Sequence, residues 1–174
     1  MPEWLTFQWV FISWILSLLI HYNSLKRSTV STAKDDLVDL LSEFSELDWI
    51  DRDANKIYQE ERYNTKLSRI SWKLKQLNRL AAFNLSEESK LDPLYGFDVE
   101  AFLDSEETSQ HEQLKHKLQE CCDDIIDTVE KNHFNKVTSS KFYIFWATRY
   151  TSIGVFLWLG ILYFYTEILA FIYQ

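Results

Sequence analysis

The sequence predicts an all-α membrane protein, in which two transmembrane helices with both termini outside flank a cytoplasmic helical hairpin or bundle. An apolar run, Trp4–Tyr22, lies near the N-terminus, and a second run, Thr151–Tyr173, ends the chain with Glu167 as its one charge. All 18 Lys and Arg residues lie between Lys26 and Arg149. The segment between the runs is polar and shows helical rather than strand periodicity. These three observations define the predicted architecture.

The first predicted span covers residues 4–22. It contains no Lys, Arg, Asp or Glu, and at about 1.5 Å per residue it just crosses a hydrocarbon layer of about 30 Å. Glu3 precedes the run, and Lys26 and Arg27 follow it. A cleaved signal peptide has the opposite arrangement, with positive charge before its apolar core. The run is therefore predicted to be an uncleaved, reversed anchor.

The second predicted span covers about 151–173 and belongs to a longer segment, 139–173. Ser139 or Ser140 is expected to cap a helix that continues from the cytoplasm into the membrane without a break. Because positively charged residues flank the inner ends of membrane helices, both termini are predicted to lie outside. This topology favours a multi-pass protein of the bacterial inner membrane.

The middle of the chain, 31–138, is predicted to be an all-α cytoplasmic module. Its helices are expected at about 32–48, 53–84 and 99–132. Between the last two, Pro93 and Gly96 predict a turn. The third helix is expected to pack against the second as an antiparallel hairpin.

The second helix carries two patterns. Its apolar residues alternate in steps of four and three, as in the packing seam of a heptad repeat: Tyr63, Leu67, Ile70, Leu74, Leu77 and Ala81. Beside the seam lies a set of basic residues: Arg62, Lys66, Arg69, Lys73, Lys75 and Arg79. This basic set can be a docking surface for nucleic acid, anionic lipid heads or an acidic partner. It can equally pair internally with an acidic stretch: Asp98, Glu100, Asp104, Glu106, Glu107 and Glu112.

Polar residues inside the predicted spans are candidates for a membrane function: Glu167, Gln8, Thr6, Ser13 and Ser17. In antiparallel spans, Gln8 and Glu167 lie at comparable depth and can hydrogen-bond. Alternatively, Glu167 extends toward the outer headgroups. Two helices cannot enclose an ion pathway, so a pathway would require several copies of the chain.

Standard catalytic signatures are absent from the sequence. It has three glycines, no Gly-rich phosphate loop, no HExxH motif and no nucleophile elbow. Cys121 and Cys122 are adjacent and lack the further ligands of a zinc site, so helix packing is their expected role. The sequence therefore predicts no enzyme, no cofactor and no metal.

Two functions remain open. The first is a membrane effector, whose helical module senses or is held by a partner and whose oligomerised spans permeabilise the membrane. In topology and size the chain resembles the small two-span effectors of bacterial anti-phage systems, including those encoded beside retrons. The resemblance implies that a partner complex holds the protein inactive until infection. The second function is a non-catalytic membrane anchor or assembly subunit that docks a soluble complex.

The predicted partners follow from these functions. They are the lipid bilayer, further copies of the chain, and a cytoplasmic protein or ribonucleoprotein. Direct nucleic-acid contact would use the basic set.

Overall fold

A computed structural model describes residues 3–51, 55–105, 108–140, 143 and 149–172. The chain divides into two compact units, Met1–Ser139 and Ser140–Gln174. Each unit is described by itself.

Every regular element within the described residues is helical. The helices are α1 (Glu3–Glu46), α2 (Lys56–Ala81), a 3₁₀ turn (Glu88–Leu91), α3 (Asp92–Tyr95), α4 (Val99–Asp104), α5 (Thr108–His133), a π-helical turn (Phe134–Thr138) and α6 (Arg149–Ile172). The prediction that the chain is all-α therefore agrees with the described structure.

Within the described ranges, no helix combines the length and the apolar character that a membrane crossing requires. The predicted spans 4–22 and 151–173 are therefore wrong, and so are the multi-pass topology and the localisation in the bacterial inner membrane. Both runs are rich in Trp and Tyr, which favour the headgroup boundary over hydrocarbon. Polar residues lower the mean hydropathy of both runs further. They are Ser13, Ser17 and His21 in the first run and Thr166 and Glu167 in the second.

α1 is one continuous helix of 44 residues, which joins the predicted first span to the predicted helix at about 32–48. The sequence predicted a separate helix that begins at about residue 32. In the structure, the Thr32 hydroxyl donates to the Ser28 carbonyl at 3.1 Å, and the Thr29 hydroxyl donates to the Leu25 carbonyl at 2.9 Å. Such bonds to the preceding turn keep hydroxyl side chains inside a helix instead of at its cap.

α2 begins where Asn55 caps it, since the Asn55 side chain accepts a hydrogen bond from the Ile57 amide at 2.9 Å. It ends at Ala81, and the next residue, Ala82, caps it in the left-handed conformation with φ of 60°. The observed bounds, Lys56–Ala81, are a few residues shorter at each end than the predicted 53–84. The predicted cap of the joining helix at Ser139 or Ser140 precedes residues 141–142 and 144–148, which lie outside the described residues.

α2 and α5 both run antiparallel to α1, so they are parallel to each other. Glu43 and Asp36 of α1 pair with Lys66 and Lys73 of α2, which fixes the direction of α2. Lys34 pairs with Glu130, and Asp48 pairs with Lys115, which gives α5 the same direction. The predicted antiparallel hairpin of the second and third helices is therefore wrong.

The connection between α2 and α5 returns along the bundle. Near the end of α2, the Leu85 amide donates to the Asn78 side chain at 2.7 Å, and the Asn132 side chain donates to the Leu85 carbonyl at 2.7 Å. At the other end, Lys56 pairs with Asp104. The predicted helix 99–132 is thus two helices, α4 and α5, and the 3₁₀ turn and α3 precede them.

The core of the first unit lies between α1, α2 and α5, and the connection runs along α2 and covers one side of it. The buried residues of α1 are Val30, Leu37, Leu41 and Phe44, and Leu47, directly after the helix, is buried with them. The buried residues of α5 include Leu118, Cys122, Ile125 and Val129. All six predicted seam residues of α2 are buried: Tyr63, Leu67, Ile70, Leu74, Leu77 and Ala81. A four-three spacing places such residues on one helix face, which explains their common burial.

The second unit contains α6. Its large apolar side chains are exposed on every side of the helix where they are described, from Ile153, which is 55% exposed, to Ile172, which is 66% exposed. This concentration of exposed apolar surface is far greater than the scattered apolar residues of an ordinary surface.

Candidate docking surface

Three lysines of the basic set pair with acids of the same chain. Lys66 contacts Glu43 at 2.6 Å, Lys73 contacts Asp36 at 3.0 Å, and Lys75 contacts Glu88 at 3.1 Å. The hydrogen bond from Lys66 lowers the pKa of the Glu43 carboxyl, and Coulomb attraction to Arg69 and Arg62 acts in the same direction. These lysines therefore hold α2 against its neighbours.

Two roles were predicted for the basic set, and one of them, internal pairing, applies to its three lysines. Their partners differ from the predicted ones. The acids that pair with Lys66 and Lys73 belong to α1. Among the described residues of the acidic stretch, Asp104 pairs with Lys56 of α2. Lys56 is not a member of the basic set.

Arg62 is also committed to the fold. Its guanidinium donates to the Trp49 carbonyl at 2.7 Å and lies 5.5 Å from the centre of the Trp49 ring. The Lys66 ammonium lies 5.0 Å from the same ring. The Trp49 ring in turn stacks on Phe44, with ring centres 5.8 Å apart. The N-terminal part of the basic set therefore caps an aromatic cluster instead of facing a partner.

Arg69 and Arg79 differ from the rest of the set. Both are exposed, and neither forms a side-chain hydrogen bond or an ion pair with any residue in the described ranges. Trp72 lies between them in sequence and is 59% exposed. Residues three and seven apart share a helix face, so Arg69, Trp72 and Arg79 form one surface, called the Trp72 face below.

Sequence reasoning missed Trp72, because attention went to the charges and to the buried seam. A signal was available: the residue sits outside the four-three alternation and is spaced three and seven residues from two arginines. A large aromatic residue at such a position is expected to be exposed.

The structure describes the side chains of two of the five polar candidates of the predicted spans. Ser13 and Ser17 are exposed and lie one turn apart on α1. The side chains of Thr6, Gln8 and Glu167 lie outside the described part of the chain, although all three positions are helical.

A groove of 540 Å³ runs along one face of α6. Its lining residues are Ile153, Phe156, Leu157, Gly160, Ile161 and Phe164. Gly160 lies near its middle, and a Cβ added there would meet no atom within 4 Å. The groove is open and apolar, which is the character of a surface that packs against another helix.

A second, polar cleft of 650 Å³ lies between α1 and α5 and is lined by Ser45, His116, Gln119, Glu120 and Asp123. Across the described ranges, no group of three His, Cys, Asp or Glu side chains is placed to hold a metal ion. Burial raises the pKa of the Cys122 thiol to about 12, which disfavours the reactive thiolate. These features give no support to catalytic chemistry at the cleft or at the cysteines.

Comparison of the chain with protein-family models, with curated proteins and with solved structures finds no match. Function is therefore argued from the geometry. The resemblance to two-span effectors depended on topology and size, and the topology has been corrected.

Proposed function

We propose that this protein is a non-catalytic assembly subunit that docks an acidic segment of a partner protein through the Trp72 face. The observation that carries the proposal is an exposed tryptophan flanked by two arginines without an ion pair in the described structure. Tryptophan and arginine are the residue types most enriched where a few side chains supply most of the binding energy. The face therefore has the composition of a binding centre.

The chemistry of the face selects an acidic partner. A guanidinium binds a carboxylate through two parallel hydrogen bonds, and Arg69 and Arg79 lie ten residues apart, about 15 Å along the helix. Two acidic residues on either side of an apolar side chain would match this spacing, with the apolar side chain against Trp72. In such a segment, the two carboxylates fix its orientation on the helix, and the apolar side chain removes the Trp72 ring from water.

Nucleic acid is a weaker fit. The chain has a net charge of -8, so a polyanion approaching from solution meets overall repulsion. Three of the lysines that could contact phosphates are engaged in ion pairs. A short acidic segment that contacts two arginines avoids most of this repulsion.

The support beneath the face is rigid. Leu67, Ile70, Leu74 and Leu77 anchor α2 on the opposite side, and each is at most 2% exposed. The ion pairs to Glu43 and Asp36 hold the same helix along its edge. A surface that is already ordered loses little entropy on binding, which favours affinity.

The test is site-specific photo-crosslinking in cells of the source organism, with the change Trp72→p-benzoylphenylalanine. The control is Tyr58→p-benzoylphenylalanine, since Tyr58 lies on the same helix and is also 59% exposed. We expect a discrete cross-linked protein from position 72, with acidic residues beside the linked site, and its loss when Arg69→Ala and Arg79→Ala are combined.

Three results would refute the proposal. They are equal cross-linking from positions 72 and 58, a linked segment without acidic residues, and a product that is nucleic acid. Once the partner is isolated, Trp72→Ala should weaken its Kd by about 30-fold or more, as expected of a central residue of an interface. Tyr58→Ala should leave the Kd unchanged.

A further inference from the structure

We infer that α6 pairs with α6 of a second copy of this chain, antiparallel and crossing at Gly160. This inference is independent of the Trp72 face, which lies in the other unit. Three features of α6 support it: the symmetric placement of the two phenylalanines of its groove, the positions of its two charges and the area of its exposed apolar surface.

The two phenylalanines of the groove are placed symmetrically about Gly160. Phe156 lies four residues before the glycine and Phe164 four residues after it, with exposed fractions of 64% and 67%. In an antiparallel pair that crosses at Gly160, Phe156 of each copy lies level with Phe164 of the other. The same contact then occurs twice, as a two-fold interface requires. Gly160 lets the two helices approach closely, because it has no side chain between them.

The charges of α6 select the antiparallel orientation. Arg149 and Glu167 are the two charged residues of this helix, eleven residues before Gly160 and seven after it. Both separations are close to whole helical turns, so by register the two positions share the face of Gly160. In the antiparallel pair, Arg149 of one copy lies four residues, about 6 Å along the axis, from the level of Glu167 of the other.

A parallel pair would instead place Glu167 level with Glu167 and Arg149 level with Arg149. Like charges at one level are unfavourable, and so are two parallel helix dipoles. Ion pairs at a protein surface contribute little to affinity, so the apolar groove supplies most of the attraction between the helices. The charges instead favour one orientation over the other.

The exposed area of the groove, if fully buried, reaches the lower limit for a specific pair. Five lining residues, Ile153, Phe156, Leu157, Ile161 and Phe164, are each more than half exposed. With about 200 Å² for a side chain of this size, their burial removes roughly 600 Å² per copy. The pair then buries roughly 1,200 Å², which reaches the lower end of specific protein interfaces.

The first test compares Gly160→Leu with Gly154→Leu in the purified full-length chain, by sedimentation velocity over a range of concentrations. A Cβ added at either glycine meets no atom within 4 Å, and leucine is a strong helix former, so both changes are compatible with the helix. Gly154 does not line the groove and serves as the matched control. We expect Gly160→Leu to weaken dimerisation about 10-fold or more, and Gly154→Leu to leave it unchanged.

Charge reversal tests the orientation. Glu167→Arg and Arg149→Glu should each weaken the dimer, and the two changes combined in one chain should restore it. Disulfide cross-linking gives an independent readout in a Cys121→Ser background: chains with both Phe156→Cys and Phe164→Cys should form linked dimers, and chains with either change alone should not.

Each contrary outcome is decisive. A chain that is monomeric at all concentrations, or a dimer equally affected by the two glycine changes, would overturn the pairing at Gly160. Cross-linking by either single cysteine variant, or a double charge reversal that restores nothing, would overturn the antiparallel orientation. Trp72→Ala should leave the dimer intact, so failure of the pairing is distinguishable from failure of partner docking.

Discussion

The buried hydroxyl of Tyr63 offers a quantitative test of how the first unit is held together. Tyr63 is 2% exposed, and its hydroxyl donates to the Leu94 carbonyl at 2.7 Å. This bond joins α2 to the connection that returns along the bundle. Burial raises the pKa of the Tyr63 phenol well above its usual value, so the hydroxyl stays protonated and remains a donor.

The change Tyr63→Phe removes the bond and keeps the ring. The Leu94 carbonyl then retains the Phe97 amide, which donates to it at 3.3 Å, so the acceptor is not left without a partner. The expected loss in unfolding free energy is therefore about 1 kcal/mol, the net value of one hydrogen bond, and not the larger cost of an unsatisfied carbonyl. With an m-value near 2 kcal/mol/M, the urea midpoint should fall by about 0.5 M.

The change Tyr63→Ala also removes the ring, which packs 4.9 Å from the Phe44 ring and 5.6 Å from the Phe97 ring, measured between centres. Deleting a buried aromatic side chain costs about 3–5 kcal/mol. The assay is equilibrium unfolding in urea, followed by circular dichroism, with Tyr58→Phe as the exposed control. A loss above about 2.5 kcal/mol for Tyr63→Phe would refute the argument, because the retained amide would then not satisfy the carbonyl.

Two further predictions concern titration and thiol reactivity. Burial, reinforced by the nearby Lys34 ammonium, lowers the pKa of His133 below its usual 6.5. The unfolded chain therefore binds a proton first as the pH falls, and the unfolding free energy should decrease as the pH drops below about 6.5. His133→Gln should reduce this slope in urea titrations, and the exposed control His116→Gln should preserve it; equal slopes in the wild type and His133→Gln would contradict the assignment. In alkylation with iodoacetamide near neutral pH, Cys121 should react before the fully buried Cys122, whose pKa burial raises to about 12, and urea should remove the difference. Equal rates in the folded protein would show that Cys122 is accessible.

The packing of α2 could be predicted because it depends on local spacing. Its six seam residues recur at four and three, and a helix with this pattern has one apolar side whatever it packs against. Its start and end were also close to the prediction. The six-residue seam and the adjacent charges depend on the sequence of one helix alone, so they can be predicted without knowing how the helices are arranged.

The arrangement of the helices could not be predicted in the same way. Lys66 and Lys73 pair with Glu43 and Asp36, yet the acidic stretch after Pro93 was an equally reasonable source of partners. Which acids are near depends on the direction of α5, and that direction is set by how the connection returns along the bundle. Long-range choices of this kind leave no local pattern.

The candidate site shows the same division. The basic set lies on α2, where its three lysines form ion pairs and Arg62 donates to the Trp49 carbonyl. Within the described structure, Arg69 and Arg79 do neither. The apolar runs were interpreted as spans because they are long enough to cross a bilayer and almost free of charged residues. Their many Trp and Tyr residues lower the apolar character of the helices that contain them.

The continuity of α1 has a mechanical consequence. Its first twenty residues, Glu3–Tyr22, precede Asn23, whose side-chain oxygen is buried. At about 1.5 Å per residue this length is about 30 Å of uninterrupted helix. A flexible linker of the same length would have a similar mean span of about 25 Å, but its two ends would move freely relative to each other. α1 acts instead as a strut, so whatever attaches to its N-terminal end is held at a set distance from the bundle and turns with it.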